Sequence, residues 1–343
     1  MSERLVLPRP CLVFIADVSD PRYAKTAKGL IDWVPEHCVG EWALPGNPLR
    51  LGLPVLDPAA ARARGARSLV IGVAPVGGRI LDNWVPALVQ ALEAGLDLVS
   101  GMHTPLAGIA ALAAAAERRG RRLIDLRIPP SELPVASGRP RPGRRLLTVG
   151  SDCAVGKKYT ALALTRALRE RGLNADFRAS GQTGILIAGQ GLPIDAVKAD
   201  FIAGAAELLS PVADPDHWDV IEGQGSLVHP GYAAVSLGLL SGSQPDVLVL
   251  CHEAGRSHVS GYGPQFPLPP LAELIELNLA HARLRRPGAR CAGISLNTGT
   301  LSAVKAEQAM AALEQELGLP VVDPVRGGTR FVALVEACLA LRR

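Results

Sequence analysis

Aromatic residues are scarce: Phe, Trp and Tyr make up only 4% of the 343 residues. The interior must therefore be assembled from Ala, Val, Leu and Ile. Charge is sparse too, with 20% charged residues and a formal net charge of +4. So small a balance, without a clustered basic face, argues against a nucleic-acid partner, because phosphate-backbone binding needs dense Lys and Arg. Six cysteines, at 11, 38, 153, 251, 291 and 338, include no C-x-x-C spacing. They signal neither a zinc site nor a disulfide framework, so no metal ligand set is expected. No uncharged apolar run reaches membrane length, and the opening MSERLVLPRP lacks the apolar core of a secretory leader. These absences predict a cytoplasmic protein with no membrane or nucleic-acid partner.

What is present is enough apolar material, 48% of the chain, for two cores, and the length exceeds what one core usually serves. Residues 1–128 alternate short apolar runs, such as Leu12–Ala16 and Ser68–Val73, with helix-like segments. That alternation implies a Rossmann-like parallel sheet with helical crossovers. No G-x-G-x-x-G follows the first strand, which argues against a nicotinamide cofactor. Residues 129–144 are rich in Pro, Gly and Arg and read as a linker whose arginines are solvated punctuation. Residues 145–343 begin again with the strand Arg145–Val149, giving a second α/β domain of P-loop type.

The sharpest signal is Gly150-Ser151-Asp152-Cys153-Ala154-Val155-Gly156-Lys157, set between a buried strand and a helix. Inward-pointing backbone N–H groups, a helix N-terminus and a lysine suit a cradle for phosphates. Gly156 is read as the place where backbone must approach the ligand closely. The hydroxyl residue that normally follows the lysine and holds Mg²⁺ is replaced by Lys158, and Thr160 lies further along the helix. Phosphate binding is expected; turnover of Mg-ATP is not.

Other candidates stand at predicted strand ends, where parallel sheets present ligands. Glu222 opens a Glu-Gly-x-Gly turn, with His229 just beyond. His252, Glu253 and Arg256 close the very apolar run Val247–Cys251, and an ionisable cluster there suits proton transfer and carboxylate binding. Arg178, Ser180, Gln182 and Thr183 fall in a polar, glycine-bearing run read as a substrate loop, and Asn297 is placed at the edge of a nucleotide base.

The loop and the Glu222-Gly223-Gln224-Gly225 turn resemble dethiobiotin synthetase and its P-loop relatives. Over nearly the whole chain, ordered segments resemble the D-glutamate N-acetyltransferase family. They include Gly72-Val73-Ala74-Pro75, Gly150–Lys157, Gly181-Gln182-Thr183-Gly184, Glu222–Ser226 with His229-Pro230, Gly242–Asp246 and His252-Glu253. The resemblance implies a Rossmann-like domain followed by a P-loop domain, and transfer of acetyl from acetyl-CoA to the amine of D-glutamate or a related D-amino acid. The loop would then hold CoA phosphates. Arg178 or Arg256 would hold the amino-acid carboxylate, and Glu222, His229, His252 or Glu253 would remove the ammonium proton. Two alternatives stand beside it: an ATP- and Mg-dependent enzyme acting on a small carboxylate, and a nucleotide-binding regulatory protein. A homo-oligomer is expected from size and class.

Overall fold

The computed structural model describes residues 7–75 and 77–340. The first six residues, read above for a leader, lie outside the described residues. The chain divides into two compact units. One comprises the residues up to Pro130 together with Gln182–Ala196, the other Ser131–Gly181 with the residues from Val197 onward.

The first unit is built on β1 (Cys11–Ala16), β2 (Cys38–Ala43), β3 (Ser68–Ile71), β4 (Asp97–Ser100) and β5 (Leu123–Asp125), joined by α1 (Lys25–Trp33), α2 (Pro58–Ala63), α3 (Val85–Glu93) and α4 (Ala110–Arg119). Every pairing is parallel, in the order β2-β1-β3-β4-β5. Helical crossovers bury both faces, so β1, β3 and β4 are buried along their length, and β1 reads as a continuous apolar run. Trp84 is the largest buried side chain, and its indole N–H donates to Asp17 Oδ1 at 2.8 Å, which satisfies its polar atom inside the core.

The second unit carries β6 (Arg144–Gly150), α5 (Lys157–Glu170) and β7 (Ala175–Arg178), and the chain then forms α6 (Gln182–Ala188) in the first unit. It continues with α7 (Ile202–Leu209), β8 (Trp218–Ile221), α8 (Ala233–Ser243), β9 (Val247–Glu253), α9 (Leu271–Arg283), β10 (Arg290–Asn297), α10 (Ala303–Leu317), β11 (Val321–Val322) and α11 (Gly328–Leu339). This six-stranded sheet is also all parallel, ordered β11-β10-β9-β6-β8-β7. From β6 the chain goes out to the edge strand β7, returns to β8 beside β6, and then crosses to β9 on the other side. That reversal opens a crevice at the carboxyl ends of β6, β8 and β9, the place where such sheets receive ligands.

Several local expectations are corrected. The run containing Gln182 and Thr183 is not a loop there: both residues lie on α6, which packs on α1 with the Thr183 and Thr26 hydroxyls 3.3 Å apart. Helix α8 has no amphipathic period to reveal it, since its buried face includes Ser236, Gly242 and Ser243 while Leu237 is exposed. At Gly242 a Cβ would fall 2.0 Å from the Ala203 carbonyl oxygen of α7, so glycine is what lets the two helices touch. Arg139 is exposed as expected, but Arg141 in the linker and Arg145 just beyond it are not solvated punctuation. Arg145 is buried and donates to the carbonyls of Arg141, Pro142, Gly143 and Pro211, while Arg141 reaches those of Ser210 and Gly242. They satisfy the carbonyls of a proline-rich stretch that has few N–H donors of its own.

Candidate functional site

Strand β6 ends at Gly150, and the chain turns through Ser151–Gly156 into α5. Ala154 and Gly156 take left-handed backbone, with φ of 57° and 105°. A Cβ at Gly156 would meet nothing within 4 Å, so the protein itself does not crowd this position. The requirement for glycine there comes from its φ. Lys157 is buried, and its ammonium donates to the Asp152 carbonyl at 2.7 Å, folding back across the loop. Burial lowers its pKa, against the opposing fields of Cys153, Cys251, Asp152 and Glu222. A buried cation of this kind gains from an incoming anion.

Thr160 does not face the loop. Its hydroxyl donates to the Gly156 carbonyl at 3.1 Å and sits 2.7 Å from Ser295 Oγ in the interior. Lys158 lies beside the Tyr159 ring, 5.2 Å from its centroid. Neither supplies the hydroxyl ligand that a P-loop gives to Mg²⁺.

Three neighbouring segments close on the loop. From β8, Glu222 is buried and its Oε2 accepts the N–H groups of Ser180 and Gly181, both at 3.1 Å. The Ser180 hydroxyl also donates to the Glu222 carbonyl, at 2.5 Å. Beyond it, Ser226 Oγ donates to the Ser151 carbonyl at 3.0 Å. From β9, His252 Nδ1 lies 2.8 Å from Ser151 Oγ. Arg256 bridges to the Asp152 carboxylate and the Cys153 carbonyl, each at 2.8 Å, and pairs with Glu253. Asp152 also accepts the Ser260 N–H, at 2.8 Å.

His229 is buried between Tyr232 and Tyr262, with ring centroids 4.5 Å and 5.3 Å away. Its Nδ1 accepts the Gly231 N–H at 3.1 Å, which puts the proton of the neutral ring on Nε2. Burial lowers the pKa of His229. His252 is lowered by burial first and by the Arg256 cation second. Both imidazoles are therefore held toward their neutral forms.

Ligating atoms of Asp152, Cys153 and His229 lie within 4.8 Å of one another, a trio that the cysteine spacing gave no reason to expect. Its carboxylate is already paired with Arg256 and accepts backbone N–H groups from Cys153 and Ser260. The remaining expected residues are placed as follows. Arg178 is tied to Asp219 at 2.6 Å and to Asp176 at 3.2 Å. Asn297 ends β10 and accepts the Gly299 N–H at 3.0 Å. Sequence reasoning missed Ser226 and Ser260, whose contacts with the loop come from segments far along the chain and leave no local pattern.

A glycine-bearing cradle at the switch point of a parallel sheet, with a Rossmann-like unit before it, defines a two-domain α/β P-loop protein. Family models match in the same order: DUF1611_N, a Rossmann-like domain of unknown function, over residues 36–129, and DUF1611_C, a P-loop domain of unknown function, over 134–333. The chain belongs to the DUF1611 family. It is 47% identical over 336 residues to a D-glutamate N-acetyltransferase of Tritonibacter scottomollicae, covering 98% of this chain and 100% of that protein. A second D-glutamate N-acetyltransferase, from a Pseudoalteromonas species, is 45% identical over 319 residues, covering 93% and 96%. The crystal structure of a DUF1611 family protein from Anabaena variabilis superposes with a TM-score of 0.86 at 37% identity, covering 96% of this chain and 99% of that one. Among the described residues no helix is long and apolar enough to cross a membrane.

Proposed function

We propose that this chain transfers the acetyl group of acetyl-CoA to the amine of D-glutamate or a closely related D-amino acid. The observation that carries the reading is a phosphate cradle that has lost its metal hydroxyl: Lys158 follows the buried Lys157, and Thr160 is turned into the core. A loop of that kind suits a polyphosphate that is held and not cleaved, as in CoA, and it disfavours an Mg-ATP enzyme. The two relatives that bear this activity as their name align over almost the whole length, which supports the same reading.

In this account residues 150–158 seat the CoA phosphates, and Asn297 borders the base. Acetyl-CoA supplies an activated acyl carbon. The protein has to hold the amino acid, take a proton from its ammonium and stabilise the oxyanion with N–H donors. Arg178 and Arg256 are each engaged with carboxylates, so a substrate carboxylate bound by either would exchange with Asp219 or Glu253. Glu222 holds the 180–181 turn, bringing Ser180 to the crevice. Of the base candidates, His252 serves only in the tautomer whose Nδ1–H donates to Ser151, leaving Nε2 to accept. His229 is a donor.

A second arrangement of the same reaction is favoured by one observation: Glu222, His229, His252 and Glu253 all gather at the loop. The pantetheine arm separates the thioester of acetyl-CoA from its phosphates, so groups that touch phosphates cannot also touch the acetyl carbon. If these residues act on the amine, the cradle holds a carboxylate of the amino acid instead.

Thiol release from acetyl-CoA, measured over a panel of D- and L-amino acids with and without Mg-ATP, tests the function. Amino-acid-dependent release without ATP supports transfer. Release that needs ATP, or that ignores the amino acid, refutes it.

A further inference from the structure

The cysteine spacings give no pairing, yet the fold creates one away from the phosphate loop. Cys11 opens β1 and Cys38 opens the neighbouring edge strand β2, and their Cα atoms are register partners in the parallel pair. Partners in register project to the same face. Adjacent strands run about 4.8 Å apart, inside the range of roughly 4.4–6.8 Å that a disulfide spans between Cα atoms. Cys38 Sγ is 3.9 Å from the Val34 carbonyl.

Their surroundings differ in a useful way. Cys11 is 4% exposed, whereas Cys38 is half-buried on the edge strand. The interaction with Cys38 raises the Cys11 thiol, with burial adding to the rise, and the same interaction lowers Cys38 against the opposing effect of burial. The Arg9 cation, two residues before Cys11, favours both thiolates, and Glu36 opposes that of Cys38. An accessible thiolate beside a buried thiol is the arrangement of an attacking and a resolving cysteine. By contrast, burial pushes Cys251 and Cys291 up to about 11 and Cys338 to about 12, which keeps them as inert thiols.

We infer that Cys11 and Cys38 form an oxidisable dithiol that low-molecular-weight disulfides convert to an intramolecular disulfide tying β2 to β1. The Cys38 thiolate attacks one sulfur of the incoming disulfide, forming a mixed disulfide and expelling one small thiolate. Cys11 then passes its proton to that leaving group or to solvent and attacks Cys38 Sγ. The Cys11–Cys38 bond forms and a second small thiol is released. Two protein thiols are oxidised and one disulfide is reduced to two thiols, so the exchange balances without another reagent.

The test is incubation of the folded full-length protein with glutathione disulfide, alkylation of remaining thiols, digestion and mass mapping. Wild type is expected to yield a Cys11–Cys38 cross-linked peptide and to release two glutathiones per chain at that pair. Cys11→Ser is expected to halt with one glutathione on Cys38, and Cys38→Ser to leave Cys11 as an alkylatable thiol in denaturant. Circular dichroism of each protein checks that it is folded. The inference is overturned if folded wild type leaves both cysteines alkylatable, or if the cross-link appears only after unfolding. Neither readout depends on acetyl transfer.

Discussion

The Gly231 N–H donates to His229 Nδ1 at 3.1 Å, and that one bond decides what the imidazole can do. A nitrogen that accepts from a backbone N–H holds no proton of its own, so the neutral ring presents Nε2–H. His229 thus offers a hydrogen bond to an anion or oxyanion, while a base would need the opposite tautomer.

The ¹⁵N spectrum of ring-labelled protein should accordingly show a protonated Nε2 and an unprotonated Nδ1 at neutral pH. Gln can donate in place of Nε2–H, so His229→Gln is expected to retain most ligand affinity. His229→Ala should lose about 1–2 kcal/mol. Equal losses in the two variants, or a protonated Nδ1, would contradict the assignment.

Lys157 is buried against its own loop, and an anion in the cradle would become its partner. Lys157→Ala removes a charge-assisted bond worth about 1.5–3 kcal/mol, a factor of roughly 10–100. Calorimetric titration with CoA and steady-state kinetics with D-glutamate divide the two arrangements. A weakened CoA Kd places the phosphates on the loop, and a raised D-glutamate KM with unchanged CoA affinity places the carboxylate there.

With Lys158 where a metal hydroxyl would stand, acetyl transfer should run undiminished in EDTA. Neither ADP nor phosphate should appear when ATP is supplied. Loss of activity on chelation, restored by Mg²⁺, would show that the cradle recruits its metal from other residues.

Much of this was legible from residues alone. The parallel α/β class follows from buried β-branched runs such as Ser68–Ile71 separated by helical stretches, and the loop from the order of strand, glycine, lysine and helix. Helix α8 was hidden because Ser236, Gly242 and Ser243 lie on its buried face while Ala234 and Leu237 are exposed, so it carries no apolar stripe. Helix α6 was hidden by its glycine-rich, polar approach, and its place in the first unit depends on contacts with α1. The tautomer of His229 and the pairing of Cys11 with Cys38 were out of reach, since each depends on where a second backbone segment passes.

Burial holds both His229 and His252 below the ordinary histidine value of 6.5. The unfolded chain therefore binds more protons than the native one as pH falls through that value. Stability from these groups is fully present above about pH 6.5 and is lost on acidification toward their lower native pKa values. The Tm should drop between pH 7 and pH 5, and His252→Gln should flatten part of that slope. A slope unchanged by the substitution would remove His252 as a contributor.

The central claim is acetyl transfer to a D-amino acid, and the most direct measurement is a chiral product analysis. Protein, acetyl-CoA and racemic glutamate are incubated without ATP, with free thiol and N-acetylglutamate quantified together. The account predicts one thiol per N-acetylglutamate and consumption of the D enantiomer. Thiol release without N-acetylglutamate, or consumption of L-glutamate in preference to D, would contradict it.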